Sequence, residues 1–323
     1  MITRRDFFKF TVAGSALAAM SNVQEAKAVI NKVLPDSGFC YESERKIPIY
    51  SETDVVGVGG NSRAVAAAVA AAKQGCKVFL IAPLTYLGDD ICGSFMYDLK
   101  EGEKPQTALA RKIFEGEKTF RPLYCKTVLE NELIDNGVYF LYSSYITELL
   151  VDSSGNISGV VMVSRSGRQA IKCKSIIDAT QEANIAKLAG LKRNRTNMPV
   201  DYIFTAVGNN LKTGDSEIKV ESVPVPVVSN GKEYSVFRYI CKSSRKIESY
   251  ADFMDIEHKL RDYAWDPDQV DSSEIIWYIP NEQLECKVSY KGEISTLREY
   301  PIDSFQPNGV NNLWVLGPCA DIS

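Results

Sequence analysis

The hydrophobic pattern changes period along the chain, and each change predicts an element. A short apolar run rich in valine, Thr53–Val58, predicts a buried strand. From Asn61 to Gln74 the text centres on AVAAAVAAA, which predicts a helix. Its small side chains all round suit a helix pressed closely between a sheet and other elements, and Gly75 ends it. Cys76–Ile81 predicts a second strand. Strand, tight glycine turn, helix and parallel strand compose one right-handed βαβ unit. A loop, PLTYLGDDICGSF, follows, then helical stretches near Thr107–Glu115 and Lys126–Asn136. Between Val138 and Asp178 the runs VYFLYS, ITELLVD, ISGVVMVSR and QAIKCKSIIDAT predict strands, with SSGN and RSGR as hairpin turns. QEANIAKLAG predicts a helix ending at Gly190. Beyond it come mixed strands, many aromatic residues and one helical pattern. NNLWVLGPC then returns to a strand that runs into a glycine turn. Leu313, Trp314, Val315 and Leu316 are expected to be buried in the first domain's sheet.

This organisation predicts an α/β protein. Residues 53–193 with 305–323 form a Rossmann-like βαβ domain with a β-meander, and residues 194–304 form a second, mixed α+β substrate or cap domain. Residues 1–28 read as a twin-arginine (Tat) export signal: Arg4 and Arg5, then TVAGSALAAM, then the AKA site ending at Ala28. That apolar run is too short to span a bilayer, so no stable membrane anchor is expected. Residues 29–52 read as a polar lead-in. The location expected is the periplasm or the medium of a bacterium.

Composition narrows the chemistry. Of 323 residues, 45% are hydrophobic and 24% charged, with a formal net charge of −4. This is a globular balance with no sign of the basic face that a nucleic-acid binder needs. The 8 cysteines show no C-x-x-C pair and no metal-ligand spacing. Cys76, Cys173 and Cys241 sit in strand-like apolar runs and read as core thiols. Cys92 has no partner cysteine near it in sequence and reads as a small packing residue. The single histidine, His258, lies in a charged helical pattern and reads as a surface residue, which makes a multi-histidine metal site impossible. The acidic DYAWDPDQVD lacks the glycine and terminal glutamate of a calcium loop and reads as a solvated turn. Arg298 and Tyr300 could bind or protonate a substrate; no catalytic base stands out.

The turn after the first strand carries the most information. A phosphate-cradling loop wants G-x-G-x-x-G. Here Gly59 holds the first glycine position, Asn61 the second and Ala64 the third, within Gly59-Gly60-Asn61-Ser62-Arg63-Ala64. Asparagine tolerates unusual backbone angles better than most residues, but its side chain is expected to crowd the pyrophosphate path. Asn61→Gly is therefore expected to tighten dinucleotide binding. The acid that normally ends the second strand and holds a ribose hydroxyl is replaced by Ala82.

The order of blocks resembles the FAD-dependent oxidoreductases built on two dinucleotide-binding domains, in particular their secreted, Tat-exported group. DVVGVGGNSRAVAAA resembles the opening turn, and YLGDDICGSF the L-G-G loop. ISGVVMVSRSGRQAIKCKSIIDATQEANIAKLAG resembles the hairpin and I-D-A-T-G-D block, and PNGVNNLWVLGPC the closing strand. The resemblance implies FAD as cofactor. It implies cofactor-binding positions at Gly59, Gly60, Asn61, Ser62, Ala64, Ala82, Gly88, Ile146, Ala179, Thr180 and Gly317. It also implies a small organic substrate.

The departures are Asn61, Ala82, Asp89 in place of the loop's second glycine, and Gln181 in place of the A-T-G glycine. The family's closing helix is expected after Gly317, where this sequence stops. A truncated chain would leave an apolar groove open to self-association or to a partner segment. Three readings stay open: an exported FAD-dependent oxidoreductase, a cofactor-free relative that serves as a binding module or remnant, and an NAD-binding protein.

Overall fold

The computed structural model describes residues 32–33, 40–42, 44–288 apart from 197, 211 and 248, and 301–320. Arg4, Arg5 and the AKA site, together with Arg298 and Tyr300, lie outside the described residues. The chain divides into two compact units, Met1–Ile47 and Pro48–Ser323. In the first, β1 (Lys32–Val33) and β2 (Cys40–Tyr41) pair antiparallel.

The second unit begins with β3 (Ile49–Glu52) and continues with β4 (Val55–Val58), α1 (Ser62–Lys73) and β5 (Val78–Ile81). A π-helical turn, Asp89–Gly93, precedes α2 (Ala108–Phe114) and α3 (Pro122–Asp135). Then come β6 (Tyr139–Leu141), β7 (Tyr145–Val151), β8 (Ile157–Ser164), β9 (Gly167–Lys172), β10 (Ser175–Asp178) and α4 (Asn184–Leu188). The remainder is β11 (Arg193–Arg195), β12 (Val200–Gly208), β13 (Ile218–Ser229), β14 (Lys232–Ser243), α5 (Tyr250–Ala264), β15 (Asp271–Ser272), β16 (Glu282–Leu284) and β17 (Leu313–Val315).

The central sheet has five strands in the order β17–β10–β4–β5–β6, each neighbouring pair parallel. Parallel strands covered on both faces read as unbroken apolar runs, which is why VFLI in β5 is buried throughout. Its alternation still sorts the two faces. Val78 and Leu80 pack with Ala64, Val65 and Ala68 of α1 and Leu129 and Leu133 of α3. Phe79 and Ile81 pack on Val160, Met162 and Ile171 of the meander. The meander sheet runs β3–β9–β8–β7. Its edge strand β3 falls within the stretch read as a lead-in. A four-residue strand gives little periodic signal; β3 is held by its parallel pairing with β9 and by Tyr50, edge-on to Phe79 at 5.8 Å. The helix α1 buries Ala64, Val65, Ala68 and Val69, while Ala66 and Ala70 are exposed, so it packs on one face rather than all round.

A second sheet, β13–β14–β12–β15, carries α5 on one face. Tyr202, Phe204 and Ala206 of β12 alternate toward Ile256, Leu260 and Ala264 of α5. Val207, Val223 and Val236 turn the opposite way, into the core of α1 and α3. The segment after β15 is tied to the π-helical turn, because the amides of Glu274 and Ile275 donate to Gly93 O at 2.7 and 3.1 Å. This connection brings the second sheet over the carboxyl ends of the parallel strands. Leu313 and Val315 of β17 are fully buried beside β10, whereas Trp314 and Leu316 are only partly so. Among the described residues no helix is long and apolar enough to cross a membrane.

Candidate functional site

The site is built at the carboxyl ends of β4 and β10, where ligands bind in open parallel sheets. Gly59 leaves β4 with φ +132°, and a Cβ there would lie 3.1 Å from Ala179 O, so only glycine serves. Asn61 follows with φ −85° and ψ 171°, ordinary extended backbone. Its side chain is buried. Oδ1 accepts from Ala64 N at 2.9 Å as the N-cap of α1, and Nδ2 donates to Ala179 O. Asn61 adopts no unusual angle, and its amide is held on both sides by bonds within the turn. The reason is helix chemistry: asparagine at an N-cap satisfies an orphan amide, a signal already present in the sequence. Removing it would break the turn, so Asn61→Gly is no route to tighter binding.

The loop after β5 folds back against this turn. Ala82 is fully buried, and its amide donates to Leu141 O at 2.9 Å. Gly88 sits at φ +84° and donates to Gly60 O at 2.6 Å. A Cβ at Gly88 would meet Leu129 Cδ1 at 2.8 Å and Cys92 Sγ at 2.9 Å. The π-helical turn that follows directs two carboxylates at the start of α1. Asp90 accepts from Ser62 N at 2.9 Å and from Ser62 Oγ at 2.6 Å. Asp89 accepts from Asp90 N at 2.8 Å, and its Oδ2 lies over Gly60. Burial first, and the Asp90 charge second, raise the Asp89 carboxyl to about 7. Arg63, beside them, donates to Gln181 Oε1 at 3.0 Å, while its buried Nε has no partner.

The opposite wall comes from β10 and the segment after β17. Asp178 is fully buried and accepts from Thr180 N and Oγ1, Ile185 N and Ala186 N at 2.6–3.2 Å. It therefore fixes both the Thr180 turn and the start of α4. Burial pushes its carboxyl above the usual range. Gln181 donates through Nε2 to Tyr278 O, and the Tyr278 hydroxyl donates to Glu182 Oε1 at 2.7 Å. A Cβ on Gly317 would lie 3.1 Å from Thr180 O, so the chain after β17 passes close against this turn. Between the walls opens a cavity of about 810 Å³, lined by Asn61, Arg63 and Asp89 at one side and Phe253, Trp277 and Tyr278 at the other.

Gly59, Gly60, Asn61, Ser62, Ala64, Gly88, Ala179, Thr180 and Gly317 thus come together through the contacts above. Ile146 stands apart: it packs against the meander side of the sheet. His258 is exposed on α5. Cys92 is buried against Cys125 of α3, so its neighbour is distant in sequence but close in the fold. The Cys92 thiol and burial push Cys125 upward, as expected of inert core thiols. Sequence reasoning missed Arg63, Asp90 and Cys125. The sequence signals for the first two were present: a cation inside the glycine turn, and a second acid beside the glycine substitution.

Residues 54–199 match the model of a family described as FAD dependent oxidoreductase. The cofactor that goes with this stretch is FAD. No curated protein matches the chain. Solved structures resemble it at low identity. One is CabE, an aromatic hydroxylase from angucycline biosynthesis (14% identity, TM-score 0.49, 83% of this chain and 56% of that one). Another is the OxyS anhydrotetracycline hydroxylase from Streptomyces rimosus (12%, TM-score 0.47, 83% and 56%). A third is a geranylgeranyl bacteriochlorophyll reductase-like protein from Thermoplasma acidophilum (14%, TM-score 0.45, 84% and 72%). The chain spans 57% and 56% of the lengths of the first two structures it matches.

Proposed function

We propose that this protein is an FAD-dependent oxidoreductase that acts on a small organic molecule and is exported through the twin-arginine route. The single observation that carries the reading is the match of residues 54–199, laid onto a glycine turn that opens into a large cavity. The donor set fits the cofactor: Ser62 presents an amide and a hydroxyl at a helix start, and both already hold a carboxylate oxyanion. Arg63 adds a buried donor without a partner. The turn at Gly59–Ser62 and Arg63 would hold the pyrophosphate, and Thr180 and Gly317 would border the remainder. When bound, the flavin supplies the redox chemistry, since its ring accepts and returns an electron pair.

The chain's own groups shape the rest of the cavity. Phe253, Trp277, Tyr278 and Ile279 form an apolar, aromatic wall suited to a flat or hydrophobic substrate. Asp89 is a carboxyl at the cavity edge that exchanges its proton near neutral pH, as a general acid–base group requires. The test is to purify the chain after expression with riboflavin supplementation and record its visible spectrum. A flavin band that elutes with the protein, or appears when FAD is added, is expected. Protein that stays colourless and binds no FAD by equilibrium dialysis would defeat this reading in favour of a cofactor-free binding module.

A further inference from the structure

We infer that Asp90 is a built-in placeholder for phosphate: its carboxylate fills the oxyanion seat at the start of α1, and a dinucleotide enters by displacing it. The inference rests on the FAD reading above. Its geometry is specific. One carboxylate takes both donors of Ser62, the amide at 2.9 Å and the hydroxyl at 2.6 Å, at the first residue of a 12-residue helix. A phosphate oxygen seeks the same amide and the same dipole end. Two oxyanions cannot share those donors, so one must leave.

The surrounding structure lets the side chain go while the backbone stays. The turn is pinned by Gly88 N to Gly60 O at 2.6 Å and by Ser94 Oγ to Asp90 O at 2.5 Å. Neither bond involves the Asp90 carboxylate. Rotation of that side chain alone would uncover Ser62. The departing charge stays near Asp89, whose raised carboxyl gives the exchange a pH dependence.

The groups that face the carboxylate pair come from each neighbouring element. Arg63 lies on α1, Tyr86 and Cys92 in the same loop, Cys125 and Lys126 on α3, and Glu274 after β15. Lys126 is engaged by Glu274 at 2.9 Å. Arg63 is therefore the cation left to meet an incoming phosphate. Two carboxylates and a pyrophosphate around one arginine repel one another. Uptake of a proton by Asp89 relieves that repulsion, so binding is expected to strengthen as pH falls.

The test is a fluorescence-quenching titration of the purified chain with FAD, and with riboflavin as the phosphate-free control. Wild type, Asp90→Asn and Asp90→Ser are compared at about pH 6 and about pH 8, on either side of the raised carboxyl. At the higher pH both variants are expected to bind FAD about tenfold more tightly than wild type, through removal of a competing charge. Their riboflavin affinity should match wild type. Wild type itself should bind FAD more tightly at the lower pH, with the pH effect smaller in the variants. The wild-type pH series carries the test even if a variant fails to fold. Equal FAD affinity in wild type and variants, with no pH effect, would overturn the placeholder and leave the FAD reading standing. No FAD binding by any form would overturn both.

Discussion

Asn61→Ala tests the central claim about the turn. In the folded protein the Asn61 side chain makes two buried contacts, accepting from Ala64 N at 2.9 Å and donating to Ala179 O. Loss of an N-cap costs about 1 kcal/mol. Leaving the Ala179 carbonyl without its donor costs a further ~1 kcal/mol or more. Asn61 is 3% exposed, so water cannot readily replace either bond. The sum is about 2–3 kcal/mol, which for a chain of this size lowers the melting midpoint by roughly 4–10 °C. Urea unfolding followed by circular dichroism measures it directly. Asn61→Asp is the informative companion, since it keeps the cap acceptor but sets a carboxylate against the Ala179 carbonyl. It should lose more than a simple cap exchange. An Asn61→Ala midpoint within about 0.5 kcal/mol of wild type would refute the bridge between turn and β10. So would improved FAD binding on Asn61→Gly, because the side chain would then have been an obstruction after all.

Other expectations follow from the same region. The folded-state pKa of Asp89 lies above its ordinary value of 3.8, so its contribution to stability is full below that ordinary value and is lost as pH rises through about 7. Asp89→Asn should therefore match wild type in acid yet exceed it near pH 8, by on the order of 2 kcal/mol in urea titrations; a constant difference across pH would contradict the assignment. Gly88→Ala combines a positive φ with a Cβ 2.8 Å from Leu129, and should cost about 2 kcal/mol or more in thermal melts. Replacing Arg4 and Arg5 together with lysine should retain the protein in the cytoplasm, as cell fractionation would show, because the export receptor reads the arginine pair.

The parts of this fold that repeat a simple period were legible in the sequence. The strand at Val55–Val58, the helix α1, and the β8–β9 hairpin turning at Gly167 all announce themselves locally, through valine runs, an alanine-rich face and a glycine at positive φ. Even β17 reads as a buried strand, since Leu313 and Val315 alternate inward. What was not legible depends on contacts between distant residues. Asn61 looks like a damaged glycine until Ala179, 118 residues later, is seen to accept its amide. Asp90 looks like a loop acid until the π-helical turn aims it at Ser62. The neighbour of Cys92 comes from α3, across a loop and a helix. Short β3 offered too little periodicity to separate it from coil.

The three side chains that stand where glycines are expected share one property. Each makes a defined bond inside the site. Asn61 joins the first turn to β10. Asp89 accepts from the amide of Asp90 and so shapes the turn that seats it. Gln181 receives Arg63 on one side and holds the segment carrying Tyr278 on the other. Substitutions tolerated only because a site had lost its use would leave buried polar groups unmatched, at a cost of about 1–3 kcal/mol each. Here the amide nitrogens and the Asp89 carboxylate are matched; of the buried donors left unmatched nearby, Tyr86 Oη and Arg63 Nε, Arg63 lies in the cavity wall, where an anionic ligand would meet it. These three side chains form a polar framework that braces the cavity from three sides. That arrangement favours a site that exchanges ligands over the relic of one, and it makes Arg63 the residue whose neutral replacement, Arg63→Gln, should weaken FAD binding without a matching loss of fold stability.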